Sequence, residues 1–133
     1  MSFKSQIERN TRIIAELHSR MHQAASRRSD DDASRKLWED ACEAFRGQYE
    51  ELAFPGGTLT IRQRLRAGDK EAIEYALDFI ELRPYFFRSG YMYTDFMRVL
   101  KNCPLSEGQR ERYDIVKAKY NAYRVKRSRS QID

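Results

Sequence analysis

The sequence predicts an all-α fold, a long N-terminal antiparallel helical hairpin packed on a compact C-terminal array of three to four helices. Three observations carry that prediction. Apolar residues recur at alternating spacings of four and three through two long segments. Proline and glycine fall at the ends of helix-length runs rather than inside them. The only β-branched cluster, Thr58-Leu-Thr-Ile61, is short and flows into a helical pattern, and no β-hairpin signature accompanies it. A chain of 133 residues is one domain-sized unit that buries about two-thirds of its unfolded surface. Its 41% hydrophobic and 34% charged residues place it with folded rather than disordered chains.

The first helix spans about 3–27. Phe3, Ile7, Asn10, Ile14, Leu17, Met21 and Ala24 form a heptad-like seam with one polar member. Ser29-Asp-Asp-Asp32 breaks the pattern, since short acidic side chains cap a helix start and suit its dipole. A second helix over about 33–53 repeats the seam with Trp38, Cys42, Phe45, Tyr49 and Leu52. Matching seams across a short connector predict an antiparallel pair. Charge agrees, because residues 1–28 carry +4 and residues 29–56 carry −5.

Phe54-Pro-Gly-Gly57 is the clearest breaker in the chain and separates a hairpin (1–54) from a helical array (58–127) within one domain. A short helix is expected over about 59–67, closing at Gly68. Asp69 then caps a helix over 70–82 with Ile73, Ala76, Leu77 and Ile80 on its inner face, and Pro84 ends it. The next helix runs from near Ser89 to Lys101, with Tyr93, Phe96, Met97 and Leu100 inward, and stops at Cys103-Pro104. Ser106-x-x-Gln109 is a capping box for a last helix reaching about Arg127, with Tyr113, Val116, Tyr120 and Tyr123 inward. Residues 128–133 are expected to fray. Consecutive helices joined by tight Pro-marked turns have the look of stacked helical hairpins.

The run Gly68-Asp-x-x-Ala-Ile-x-x-Ala-Leu-x-Phe-x-Glu-x-x-Pro84, with Phe86-Phe-Arg-Ser-Gly-Tyr91, Arg98-Val-Leu-Lys101 and Pro104-Leu-Ser106, resembles a pattern of small uncharacterised bacterial helical proteins. The resemblance covers roughly the C-terminal half. It implies a HEAT-like helical fold and brings no activity and no functional residues with it.

Chemistry-bearing patterns are sparse. His18 and His22 share a helical face, but the stretch reads His-Ser-Arg-Met-His without the Glu of a zinc-protease motif, so two partly exposed histidines flanking the seam are expected and no metal. Carboxylates such as Glu39, Asp40, Glu43, Glu50 and Glu51 fall at solvent-facing helical positions. Gly56-Gly57 lacks the Gly-Lys-Ser/Thr of a phosphate loop. Cys42 and Cys103 lie in different expected helices and read as reduced thiols. No enzyme activity and no cofactor is expected. No run approaches the roughly 18–20 apolar residues of a membrane span, and the N-terminus lacks a signal-peptide core. The expected location is the cytoplasm.

Two features point to macromolecular partners. Residues 85–96 contain six aromatics, Tyr85, Phe86, Phe87, Tyr91, Tyr93 and Phe96. Phe86, Phe87, Tyr93 and Phe96 are expected in the core. Arg88 is either a structural donor to carbonyls near Pro84 or, with Tyr85 and Tyr91, part of an exposed protein-binding hot spot. The second feature is the basic C-terminus, where Lys117, Lys119, Arg124, Lys126, Arg127 and Arg129 stand without an acid among them and interleave with Tyr120 and Tyr123. Arg62, Arg64 and Arg66 can extend that patch if the fold brings them near. The leading expectation is a non-catalytic protein-binding module, an adaptor or immunity-type inhibitor, and the alternative is nucleic-acid binding through the basic helix. The N-terminal seam, with Asn10 as a register-setting polar residue, also offers a route to self-association.

Overall fold

The computed structural model describes residues 2–132, with side chains through Arg129. The described residues form six helices and no strand: α1 (Lys4–Ala25), α2 (Asp32–Ala53), α3 (Ile61–Arg66), α4 (Lys70–Leu82), α5 (Ser89–Leu100) and α6 (Glu107–Ile132). The all-α class follows directly from the periodicities above.

Helices α1 and α2 form the antiparallel hairpin. Asp31 caps α2 by accepting the Ser34 N–H at 2.7 Å, and Asn10 near the start of α1 donates through Nδ2 to the Leu52 carbonyl near the end of α2, at 3.2 Å. The polar member of the seam is thus satisfied within the chain. The seam is not buried along its whole length. Ile7, Ile14 and Leu17 of α1 and Phe45 and Ala53 of α2 enter the core, whereas Trp38 and Cys42 stay half-buried. Among the described residues none from 18 to 44 is buried, so the core stops partway along the hairpin. In that stretch the Arg28 guanidinium lies over the Trp38 ring.

Helix α4 is the centre of the domain. The expected inner face of Ile73, Ala76, Leu77 and Ile80 is buried, and so are Ala72, Tyr75, Asp78 and Phe79 on its other sides. Tyr75 meets Phe3 at 5.5 Å and Phe54 at 4.9 Å between ring centroids, and Phe79 meets Phe96 at 5.1 Å. A helix enclosed by α1, α3, α5 and α6 buries almost every side, a pattern richer than one amphipathic stripe. Burial pushes the Tyr75 hydroxyl up to about 12.

The turns explain the remaining boundaries. Gly56 and Gly57 both have positive φ, +85° and +88°, a backbone that side chains disfavour. The chain therefore doubles back, and the Glu50 carboxylate accepts the Thr58 N–H at 2.7 Å and its hydroxyl. Helix α3 begins at Ile61 rather than near Leu59, which is left outside it. Between α4 and α5, Arg83 and Arg88 take left-handed conformations (φ 49° and 68°), and Ser89 Oγ accepts the Phe86 N–H at 3.0 Å.

The capping box of α6 is complete. Gln109 N–H donates to Ser106 Oγ at 3.2 Å, and Ser106 N–H donates to Gln109 Oε1 at 2.9 Å. Tyr113 and Val116 are buried and Tyr120 is half-buried against Tyr93, but Tyr123 is 54% exposed, contrary to its expected inner position. At 26 residues α6 outruns α4 and α5, so its second half passes beyond them. No Pro or Gly follows Gly108 to stop it, and it stays helical past Arg127 through Ile132, where fraying is expected. The last position of that tail, residue 133, lies outside the described residues.

Candidate functional site

A cleft of about 430 Å³ opens between α3 and α5 beside the end of α2. Its floor is core. Leu65, Met92, Phe96 and Val99 are buried and turn one edge toward it. Its rim carries two large apolar side chains with little cover, Leu59 at 95% and Tyr91 at 79% exposure. Both positions follow from the local backbone. Glu50 holds Thr58 and places Leu59 outside α3, and the left-handed Arg88 starts α5 so that Tyr91 points away from the core helices.

The charged groups of the rim are mostly committed to one another. Arg62 Nη2 bonds both oxygens of Asp95, at 3.0 and 3.1 Å, closing one side. Glu50 is occupied by Thr58. Arg88 remains, its guanidinium 5.1 Å from the Phe87 ring centroid rather than on the carbonyls near Pro84. Tyr49 donates to the Phe87 carbonyl at 2.7 Å, and burial raises its pKa above the ordinary tyrosine value against the opposing charge of Arg88.

Of the three hot-spot residues expected from the sequence, Arg88 and Tyr91 line this cleft. Tyr85, also 79% exposed, lies on the α4–α5 turn outside its lining. Leu59 was not legible as a site residue, because the pattern Leu-Thr-Ile-Arg reads as the opening of a helix. Its signal is a leucine set between two threonines directly after paired glycines.

The aromatic segment divides. Tyr93 and Phe96 are buried and Phe86 is half-buried, but Phe87 is 39% exposed and leaves the C-terminal core. It packs instead on the hairpin, 5.3 Å from His18, 5.5 Å from Phe45 and 5.9 Å from Tyr49. The turn preceding α5 is thereby fastened to α1 and α2. His18 stacks on Phe87 and meets His22 edge-on at 4.4 Å. Burial, and then the neighbouring His22, lower the His18 pKa. Among the described residues no group of three or more His, Cys, Asp or Glu side chains is arranged to hold a metal. Cys42 and Cys103 are free thiols, and burial raises the pKa of Cys103.

The basic set separates into two environments. Lys119, Arg124, Lys126, Arg127 and Arg129 are exposed on α6 and Lys117 is half-buried. Of the three arginines expected to extend this surface, Arg66 is exposed, whereas Arg62 and Arg64 are held by carboxylates. Arg62 is paired with Asp95, and Arg64 bonds Asp69 at 2.9 Å, Glu71 at 3.2 Å and the Pro55 carbonyl. The hydrogen bond to Asp69 raises the Arg64 pKa and holds Asp69 low. No described helix is long and apolar enough to cross a membrane.

No family model, curated protein or solved structure matches the chain.

Proposed function

We propose that this protein works by binding another protein, and that the α3–α5 cleft receives it. One observation carries the reading: Leu59, just before α3, and Tyr91, on α5, stand exposed in the lining of a cleft whose floor is the buried core. Burying a large apolar side chain contributes about 1.5–3 kcal/mol, so a partner that covers both gains substantially without rearranging the fold. Tyrosine and arginine are the residue types that anchor interfaces, and among the described residues Arg88 is the cation of the cleft lining without a carboxylate partner. The fitting partner inserts one or two apolar side chains between Leu59 and Tyr91 and brings a carboxylate to Arg88. Binding of this kind, as an adaptor or inhibitor, needs no reacting group.

Selection of peptides from a random library on the immobilised protein tests the reading. Selected peptides should be apolar with an acidic residue, and Tyr91→Ala or Leu59→Ser should weaken them tenfold or more. Peptides that bind wild type and both variants equally would place the interaction elsewhere.

A further inference from the structure

We propose that the distal half of α6 is a second, independent binding surface, and that its ligand is duplex DNA held in the major groove. Residues 115–129 include Lys117, Lys119, Arg124, Lys126, Arg127 and Arg129 and no carboxylate. From residue 121 to 129 every side chain is exposed, so no other helix covers this part of α6 on any side. These fifteen residues make a rod about 22 Å long and about 10–12 Å across.

The arrangement of the cations carries the argument further than their number. At about 100° per residue, Lys117 and Arg124 form one row along the helix, and Lys119 and Lys126 form a second row on the opposite side. The arc between them holds Ala118, Asn121, Ala122, Val125 and Ser128, all short side chains, with Arg129 among them. Arg127 falls on the other side of the helix, beside Val116 and Tyr120. A helix of this width enters a major groove about 12 Å wide, which has a phosphate strand on each flank. With this arc facing the base pairs, Lys117 and Arg124 meet one strand, Lys119 and Lys126 meet the other, and Arg129 enters the groove between them. Asn121 then lies on the inward arc, where an asparagine amide can bond the N6 and N7 of adenine, and Val125 can meet a thymine methyl.

Alternative polyanions fit less well. The major groove of double-stranded RNA is too deep and narrow for a helix. A helix lying on a membrane needs a broad face of large apolar residues, and this arc is made of Ala, Asn, Ser, Val and one Arg. Charge also supplies a driving force within the helix. Arg124 and Arg127 are spaced three apart, where like charges disfavour an isolated helix and phosphates would relieve them.

Fluorescence anisotropy of a labelled mixed-sequence duplex against the full-length chain, across a salt series, tests the proposal. Five contacts, from Lys117, Lys119, Arg124, Lys126 and Arg129, predict an affinity loss of about 500-fold between about 50 and 200 mM salt. The double substitution R124A/R129A removes two of these contacts and should reduce that loss to about fortyfold, with an unchanged melting temperature because both positions are exposed. Tyr91→Ala should bind DNA as wild type does, which separates this surface from the cleft. The proposal is overturned by any of three results: no duplex binding near 50 mM salt, equal or tighter binding to double-stranded RNA or phosphatidylserine vesicles, or undiminished binding by the double variant.

Discussion

Arg112 of α6 places Nη2 at 2.7 Å from Asp78 Oδ1, and the second oxygen of that buried carboxylate accepts the Phe3 backbone N–H, also at 2.7 Å. The same guanidinium bonds Glu74 at 2.8 Å and Glu81 at 2.6 Å. One side chain thus fastens α6 to an acidic stripe on α4, and through Asp78 the stripe reaches the start of α1. Removing one partner of a buried ion pair leaves the other charge without compensation. Arg112→Ala should therefore destabilise the fold by about 3 kcal/mol, read by urea denaturation. Adding Asp78→Asn to that variant should recover part of the loss, because the uncompensated charge goes too. A loss below about 0.5 kcal/mol, the range of an ordinary surface change, would show that the network is dispensable.

The same network fixes the acid response. Arg112 hydrogen-bonds Glu81 and holds its carboxyl below the ordinary value, with burial opposing. Burial raises Glu74, but its bonds to Gln109 and Arg112 outweigh that and leave it lowered as well. A depressed folded pKa means that the unfolded chain binds more protons as pH falls. The contribution is present in full above the unfolded value, about 4.3, and is lost as pH drops through the folded values. Melting temperature should be insensitive to this network from about pH 7 to 5 and fall below about pH 4.5. Arg112→Ala should lose part of that acid sensitivity, which thermal melts at stepped pH will show.

Substitutions in the core and on the cleft should separate cleanly. Phe79, fully buried between Phe86 and Phe96, should lose about 3–5 kcal/mol on truncation to alanine. Leu59→Ser and Tyr91→Ala should change stability by no more than about 0.5 kcal/mol. Denaturation curves of the three variants decide this. A large loss at Leu59 or Tyr91 would mean that the cleft wall is structural.

The Ser106–Gln109 box should also be measurable on its own. Ser106→Ala removes the acceptor for the Gln109 N–H and should destabilise by about 1 kcal/mol. Faster amide exchange confined to the first turn of α6 would accompany it. Threonine at the same position should restore most of the protection.

What the sequence determined by itself is local. Heptad spacing located α1 and α2, the Ser29-Asp-Asp-Asp32 run and Asp69 located two helix starts, and Ser106-x-x-Gln109 located a third, because caps and periodic faces act within a few residues and read the same in any fold. Arg88 and Tyr91 stood out for a similar reason, since their residue types and their place beside a helix start are visible without neighbours. Tertiary structure decided everything that depended on which faces met. Asp78 and Arg112 lie 34 positions apart, and nothing local to either announces the pair. Phe87 faces His18 and Phe45 of the hairpin rather than the C-terminal core, and Tyr123 is exposed because α6 is longer than the helices beneath it. Leu59 became a cleft wall only because Glu50 captured Thr58 across the Gly56-Gly57 turn. Periodicity says that a face will be buried, but burial itself is a contest between surfaces, settled by the lengths and positions of all six helices together.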